Sequence, residues 1–219
     1  MNLDLFGQDE PRRWTEQLAA GAVILRGFAY EQAPALVSAI NAVTARAPFR
    51  HMVTPGGYTM SVAMSNCGAL GWVTDETGYR YSPVDPLSGQ RWPDMPDVFA
   101  QLAKSAASEA GFVDFEPDAC LINRYQIGAR LSLHQDKDEH DYRQPIVSFS
   151  LGLSAVFLFG GMARNDRAQR LPLVHGDVVV WGGESRLRYH GILPLKGGPV
   201  PAYLPGEYRF NLTFRKAGD

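Results

Sequence analysis

Cysteine is scarce in this sequence, and its scarcity narrows the class of protein. The chain has 219 residues and two cysteines, Cys67 and Cys120. Two cysteines are too few for a disulfide framework, and this pair lacks the close spacing of a zinc-binding motif. We therefore expect a protein of a reducing compartment, the cytoplasm.

Long apolar runs and an excess of one charge are also missing. No apolar stretch approaches the ~18 residues that span a bilayer. The opening segment carries Asp4, Asp9 and Glu10, where a signal peptide would carry basic residues. Lysine and arginine total 21 against 23 for aspartate and glutamate, so the formal net charge is −2. The sequence predicts no signal peptide and no membrane segment, and any contact with a polyanion must be local.

The composition is that of a globular domain. Apolar residues make up 45% of the chain and charged residues 20%, which excludes a disordered or low-complexity protein. All-β folds of this length commonly form one domain, and no repeat or linker divides the sequence. We expect a single domain over residues 1–219.

Two early segments have the apolar spacing of helices. The first carries Leu36, Ile40 and Val43, and the second carries Val98, Leu102 and Ala106. Pro34 is compatible with the first turn of the first helix. For the second helix, Asp94 is the expected N-cap and Gly111 the expected C-cap.

Strand-like runs dominate the rest of the chain. Five of them are Ala119–Tyr125, Ile146–Leu151, Ala155–Phe159, Asp177–Trp181 and Tyr208–Phe214. Alternation over residues 58–65, after the Pro-Gly-Gly turn at 55–57, predicts a hairpin as well. Many short strands without intervening helices indicate a sandwich, a jelly roll or a barrel, and the pattern does not choose among them.

The segment His134-Gln135-Asp136 is the first with chemical content. Residues two apart in a strand project from the same face, so this imidazole and carboxylate can reach one ion. Two histidines and one carboxylate form the facial triad of a non-haem Fe(II) site, which leaves coordination positions open. Taken alone, the H-x-D pattern is more often a solvent-exposed strand end.

A third ligand would come from the remaining histidines, which are His51, His140, His175 and His190. His140 is too close in sequence to belong to a separate strand, and His175 leads into a turn that it can cap. His190 opens a short apolar run, with room for several strands between it and Asp136. Spacing favours His190 only slightly.

The C-terminal run alternates between polar and apolar residues. Arg209, Asn211, Thr213 and Arg215 alternate with Phe210, Leu212 and Phe214. A polar face turned to solvent is the ordinary explanation of such a strand. Two arginines on one face also offer the planar, paired donors that a small dicarboxylate requires.

Together these residues resemble the Fe(II)- and 2-oxoglutarate-dependent dioxygenases, and among them the bacterial AlkB-type alkylation-repair family. The resemblance runs from about residue 14 to residue 216. Four blocks carry it: MVTPGGYTMSVAM at 52–64, LHQDKDE at 133–139, HGDVVVWGG at 175–183 and RFNLTFR at 209–215.

The resemblance implies a mainly β (α+β) fold, a double-stranded β-helix or jelly roll, with N-terminal helices and a nucleotide-recognition lid packed on the sheet. Its implied divisions are an N-terminal extension with a helix at about 14–50, the lid at about 51–93 and the jelly-roll core at about 115–216. The implied catalytic iron ligands are His134, Asp136 and His190.

The resemblance also implies where the organic ligands bind. The residues expected to hold 2-oxoglutarate are Asn123, Tyr125, Arg209, Asn211 and Arg215, with Arg215 on the distal carboxylate and Arg209 near the iron-bound end. The residues expected to contact the substrate are Thr54, Tyr58, Met64, Trp72, Tyr79, Asp138 and Arg164. A damaged base would stack between Trp72 and His134, although a tryptophan in an irregular stretch is more often a packing anchor.

The implied activity is direct reversal of base alkylation, such as demethylation of 1-methyladenine and 3-methylcytosine in DNA. It uses Fe(II), O₂ and 2-oxoglutarate and releases formaldehyde, succinate and CO₂. The expected protein is a cytoplasmic monomer that acts on single- or double-stranded alkylated DNA. One alternative is a 2-oxoglutarate oxygenase of RNA, protein or a small metabolite. A non-catalytic jelly-roll metal-binding module is another, but such a module does not need two arginines on one strand face.

Overall fold

The computed structural model describes residues 12–218, and most of the acidic opening segment, where no signal peptide is expected, lies outside that range. The elements within it, in chain order, are β1 (Trp14–Ala19), β2 (Ala22–Arg26), α1 (Ala33–Arg46), β3 (Arg50–Val53), β4 (Thr59–Gly68), β5 (Gly71–Asp75), β6 (Gly78–Ser82), α2 (Asp97–Glu109), β7 (Ala119–Tyr125), β8 (Leu131–His134), β9 (Ile146–Gly152), β10 (Ala155–Phe159), β11 (Gln169–Leu173), β12 (Val178–Trp181), a short 3₁₀ helix (Gly183–Ser185), β13 (His190–Ile192) and β14 (Arg209–Arg215).

The strands form a large sheet, a small sheet and a separate hairpin. The large sheet has the order β1-β2-β12-β9-β14-β7-β4-β3, the small sheet has the order β11-β10-β13-β8, and β5 pairs with β6. The pairings between these strands are antiparallel, and neighbours in space are often distant in sequence. The predicted mainly β jelly roll is confirmed.

Apolar side chains cover both faces of the large sheet. On one face, α1 and α2 pack their buried residues, including Leu36, Ile40 and Phe99, against Phe149 and Phe214. A second cluster combines residues of the large sheet with residues of the small sheet, among them Tyr125, Trp181, Phe157, Phe159 and Ile192. Strand β14 therefore has both faces buried, and its polar row lies inside the protein.

Both predicted helices are present, but the start of the second differs from the expectation. Its N-cap is Pro96, and Asp97 is the acidic residue in its first turn. Asp94 cannot serve as the cap because Met95 precedes a proline, and a residue in that position is disfavoured in helical conformation. Within the described range, neither helix is long and apolar enough to span a membrane.

Candidate active site

One large cavity, of about 770 Å³, is lined by residues of both sheets and of the β5–β6 hairpin. The residues that the sequence predicted for the site all line it: His134, Asp136, His190, Asn123, Tyr125, Arg209, Asn211, Arg215, Thr54, Tyr58, Met64, Trp72, Tyr79, Asp138 and Arg164. Of the histidines considered as a third ligand, His190 is the one that lines this cavity.

The three predicted metal ligands meet because β8 and β13 are neighbours. His134 ends β8 and pairs directly with His190, which begins β13. Asp136 follows just after β8. Its Oδ1 lies 3.5 Å from His134 Nε2, and its Oδ2 lies 3.8 Å from His190 Nε2. One ligand atom from each of the three lies within 4.8 Å of the others. Such a set can close on one ion.

Backbone carbonyls fix the orientation of both imidazoles. His134 Nδ1 lies 2.8 Å from the carbonyl oxygen of Ser132, and His190 Nδ1 lies 3.0 Å from that of Arg188. A carbonyl oxygen accepts but cannot donate, so each Nδ1 carries the proton and each Nε2 offers its lone pair. Burial, and then the charge of His134, lower the pKa of His190 to about 4. At neutral pH His190 is therefore uncharged, as a metal ligand must be.

Arg215 holds the carboxylate of the triad. Its Nε and Nη2 donate to Asp136 Oδ2 at 3.0 and 2.6 Å. Burial by itself would raise the pKa of Asp136, but the charge of Arg215, followed by the attraction of the His190 and His134 imidazoles, outweighs burial and keeps that pKa below its usual range. Asp136 is therefore an anion at neutral pH. Two imidazole nitrogens and one carboxylate are a donor set that suits Fe(II).

Arg209 is a buried cation with unused donors. It is 1% exposed, and its Nη2 donates to Ser150 Oγ at 2.9 Å. Among residues 12–218, its Nε and Nη1 have no hydrogen-bond partner. Its guanidinium lies over the Tyr125 ring, 5.4 Å from the centroid, and burial lowers the pKa of Arg209. A buried charged group with two free donors is costly without an anion, so this position fits a carboxylate of 2-oxoglutarate.

The contacts of the two arginines favour the opposite assignment to the one expected from the sequence. Arg215 was expected on the distal carboxylate, yet it bonds Asp136 and so lies at the metal end. Arg209 was expected near the metal, yet the buried guanidinium donors of the cavity that have no partner within residues 12–218 are its own. Alternation along β14 places both arginines on one face but cannot tell which of them has a protein partner.

The two predicted amides differ in their surroundings. Asn211 donates from Nδ2 to Ser148 Oγ and to the carbonyl oxygen of Phe149, at 2.7 and 2.9 Å. Its Oδ1 accepts from Asn123 Nδ2 at 3.2 Å and from Thr213 Oγ1 at 2.9 Å. Asn211 therefore holds neighbouring side chains in place. Asn123 Oδ1 is buried without a partner within the described chain.

The β5–β6 hairpin supplies the aromatic part of the cavity. The rings of Trp72 and Tyr79 are stacked, with centroids 5.7 Å apart and planes inclined by 20°. Trp72 Nε1 donates to Asp138 Oδ2 at 2.8 Å. Trp72 was expected in an irregular stretch, but it lies within β5 because residues 71–75 pair with residues 78–82. It packs against the second apolar cluster and also lines the cavity.

The rim of the cavity carries exposed groups that can contact a large substrate. Tyr58 is 78% exposed at the tip of the β3–β4 hairpin, and Tyr79 is 50% exposed. Arg164 lies in the loop between β10 and β11, with its guanidinium 5.9 Å from the centroid of the Tyr189 ring. These positions suit contacts to a polymer that reaches beyond the cavity.

The sequence did not point to a buried ionic cluster beside the metal ligands. Glu139 is 5% exposed and bonds Tyr81, Arg186 and Arg215. Charged residues are seldom buried, and periodicity gives no reason to expect it of a residue in a loop. The signal available was the acidic Asp138-Glu139 pair directly after the H-x-D segment.

The sequence profile of the 2OG-Fe(II) oxygenase superfamily matches residues 21–215. The chain belongs to this superfamily. As a 2OG-Fe(II) oxygenase it is a dioxygenase that uses Fe(II), 2-oxoglutarate and O₂, which suits the histidine–aspartate–histidine triad and the unpaired Arg209 donors described above.

Individual 2OG-Fe(II) oxygenases resemble the chain along its whole length. It is 63% identical over 216 residues to the alpha-ketoglutarate-dependent dioxygenase AlkB of Escherichia coli (strain K12), which covers 99% of this chain and 98% of that protein. The AlkB-type resemblance is thus confirmed.

Two further relatives belong to the ALKBH1 group. The DNA N(6)-methyladenine demethylase ALKBH1C of Arabidopsis thaliana is 35% identical over 171 residues, 67% of this chain and 38% of that protein. The solved structure of OsALKBH1 superposes with a TM-score of 0.81 at 30% identity, covering 92% of this chain and 99% of that one.

Proposed function

We propose that the chain removes alkyl groups oxidatively from the ring nitrogens of nucleobases, such as the methyl groups of 1-methyladenine and 3-methylcytosine in DNA. One observation carries the proposal: a single cavity joins the histidine–aspartate–histidine triad, the unpaired donors of Arg209 and the aromatic pair of the β5–β6 hairpin. The similarity to AlkB and to a DNA demethylase supports it.

Each part of the cavity has a separate task in this reaction. His134, Asp136 and His190 would hold Fe(II). When bound, Fe(II) with 2-oxoglutarate and O₂ supplies the oxidising power that attacks the methyl C–H bond. Arg209 would bind the distal carboxylate of 2-oxoglutarate. Its guanidinium lies over the Tyr125 ring, and Asn123 lines the same cavity. Arg215 keeps Asp136 ionised and correctly oriented.

The aromatic part of the cavity suits a cationic base. Bases methylated at these positions carry a positive charge and cannot pair normally, so they leave the helix at lower cost than an intact pair. A cation over the Trp72 ring gains about 0.5–2 kcal/mol, and the Asp138 carboxylate attracts the same charge. An undamaged, neutral base gains neither contribution. We propose that the base stacks between Trp72 and His134 and that Tyr79 and Arg164 contact the nucleic-acid backbone.

We also propose how the chain meets its substrate. Residues 51–93, with Thr54, Tyr58 and Met64 lining the cavity, act as the nucleotide-recognition lid over a single catalytic domain. The substrate is alkylated DNA, single- or double-stranded, and the enzyme acts as a cytoplasmic monomer. The free, buried thiols of Cys67 and Cys120 support a reducing compartment.

Formaldehyde release tests this proposal directly. Wild-type protein, supplied with Fe(II), 2-oxoglutarate and air, should release formaldehyde from an oligonucleotide that contains 1-methyladenine or 3-methylcytosine. The Asp136→Ala variant should release none, because it lacks the charged ligand. The matched control Asp114→Ala, which removes an exposed carboxylate outside the cavity, should retain full activity. Wild-type turnover of RNA or a free nucleoside, but not of DNA, would contradict the assigned substrate.

A further inference from the structure

We propose that Tyr81 and Glu139 are positioning residues that couple the β5–β6 hairpin to the metal ligand Asp136. Through them, binding of a base at the hairpin and binding of metal and 2-oxoglutarate would each strengthen the other. The inference rests on the proposed function, because it assigns the hairpin to base recognition.

Glu139 is the centre of the link. Its side chain is 2% exposed. Its Oε1 accepts from the Tyr81 hydroxyl at 2.6 Å and lies 3.3 Å from Arg215 Nε, while its Oε2 accepts from Arg186 Nη2 at 2.9 Å. One carboxylate thus contacts a strand of the hairpin and two buried arginines. Bonds to a charged group in a buried setting are strong and directional, so movement of one partner disturbs the others.

The two arginines connect Glu139 to both the side chain and the backbone of Asp136. Arg215 donates to Asp136 Oδ2 at 2.6 Å, and Arg186 Nη1 donates to the carbonyl oxygen of Asp136 at 2.7 Å. Negative and positive groups alternate along this chain of contacts, so the charges of the two arginines are balanced beside the metal site. Without Glu139, the two guanidiniums would repel each other and an incoming metal ion.

The hairpin is attached to the same segment through two opposite residues. Tyr81 in β6 pairs directly with Trp72 in β5, so their side chains share one face of the hairpin. Trp72 donates to Asp138 and Tyr81 donates to Glu139, at 2.8 and 2.6 Å. Two adjacent carboxylates, two and three residues after Asp136, therefore hold one residue on each strand of the hairpin.

This arrangement predicts coupled binding. We call the contacts among Tyr81, Glu139, Arg186, Arg215 and Asp136 the network. If the network has to be ordered before either ligand binds, then metal and 2-oxoglutarate raise the affinity for the base, and the base raises the affinity for them by the same factor. Loss of the Tyr81 hydroxyl should disconnect the hairpin while both sites persist. A purely structural role for Tyr81 predicts lower stability with unchanged coupling.

The experiment measures the dissociation constant of a 1-methyladenine-containing single-stranded oligonucleotide under anaerobic conditions, with and without Fe(II) plus 2-oxoglutarate. The ratio of interest is the dissociation constant without Fe(II) and 2-oxoglutarate divided by the constant with both. For the wild-type chain we expect this ratio to be at least about five. For Tyr81→Phe we expect that ratio to fall to within about twofold of one, which corresponds to a residual coupling under about 0.4 kcal/mol. Tyr203→Phe is the matched control, because its hydroxyl contacts His175 instead of the network, and it should keep the wild-type ratio.

Two further readouts separate coupling from folding. Hydrogen exchange of residues 71–82 should slow when Fe(II) and 2-oxoglutarate are added to the wild-type chain, but not when they are added to Tyr81→Phe. Glu139→Gln, which keeps an oxygen acceptor but loses the charge, should weaken Fe(II) binding about 10- to 100-fold. It should also bring the ratio of the two oligonucleotide dissociation constants close to one.

The outcomes distinguish this inference from the proposed function. A wild-type ratio of one, or a Tyr81→Phe variant that keeps the wild-type ratio and the slowed exchange, overturns the coupling even when demethylation is intact. A wild-type chain that neither binds nor demethylates the oligonucleotide overturns the proposed function, and the coupling with it.

Discussion

At the scale of single residues, Arg209 and Arg215 show how much the surroundings of a side chain decide its role. Both belong to the polar row of β14, and both are buried. Arg215 is paired with Asp136, and its pKa is raised because the attraction of Asp136 exceeds the effect of burial. Arg209 has no carboxylate partner among the described residues, and its pKa is lowered by burial. One guanidinium holds the carboxylate of the triad, and the other keeps two nitrogens without a partner among the described residues.

This difference predicts distinct effects of removing each charge. Arg209→Met should raise the concentration of 2-oxoglutarate needed for half-maximal turnover about 100-fold, since two bonds to a charged group are lost, and should leave Fe(II) affinity unchanged. Arg215→Met should weaken Fe(II) binding as well, because Asp136 loses its partner. Steady-state kinetics and anaerobic Fe(II) titration measure the two effects. Equal loss of Fe(II) affinity in both variants would contradict the assignment.

His175 gives a residue-scale prediction about pH. Its Nδ1 accepts from the backbone N–H of Gly152 at 2.9 Å, and its Nε2 lies 2.8 Å from the Tyr203 hydroxyl. Burial lowers the pKa of His175 despite the nearby Asp177. As the pH falls, His175 is therefore protonated in the unfolded chain before it is protonated in the folded chain. The stabilisation from neutral His175 is present above the unfolded pKa of about 6.5 and is lost as the pH drops below it.

Chemical denaturation at a series of pH values checks the direction of this pH dependence of stability. The free energy of unfolding of the wild-type chain should fall more steeply between about pH 7 and pH 5 than that of His175→Gln. Identical slopes for the wild-type chain and His175→Gln would contradict the prediction.

At the scale of elements, the proposed function assigns substrate recognition to the β5–β6 hairpin and the oxidation chemistry to the triad and Arg209. Trp72→Ala should lower demethylation about tenfold or more, because stacking of a base on an aromatic ring contributes about 1–3 kcal/mol. Consumption of 2-oxoglutarate without substrate should change little, since Arg209 and the triad are untouched. The ratio of formaldehyde to succinate measures this uncoupling. Loss of the folded circular-dichroism spectrum would instead make Trp72 mainly a packing residue.

Most elements with a strong apolar pattern were predicted, but the buried apolar strand β2 and several edge or hairpin strands were not. The runs that became β7 and β10 were placed with their observed bounds, and β9 ended one residue later than expected. Strands β2, β6 and β11 were missed, and so were β1 and β5. β1 is an edge strand with mostly exposed or half-buried residues, and β5 belongs to a two-stranded hairpin. Such strands are held by their partners, and a partner is not visible in a local pattern.

At the scale of the whole molecule, two packed layers place a polar row where a hydrophobic core is expected. One face of β14 packs on the helices, and the other lines the cavity. The alternation of β14 predicted the two faces. The polar face of such a strand is usually interpreted as solvent-exposed, but here it is buried. The family blocks identified the metal ligands, but Glu139 and Tyr81 were missed. Their role depends on contacts between segments that are far apart in sequence, 58 residues in the case of Tyr81 and Glu139.

The most direct test of the central claim is the visible absorption spectrum of the protein mixed with Fe(II) and 2-oxoglutarate in the absence of air. We expect a charge-transfer band that requires both Fe(II) and 2-oxoglutarate, since the triad leaves adjacent positions for a chelating α-keto acid. We expect no band for Asp136→Ala, and for Arg209→Met a band that appears only at much higher 2-oxoglutarate. A wild-type chain that is folded and shows no band with both components present would contradict the account.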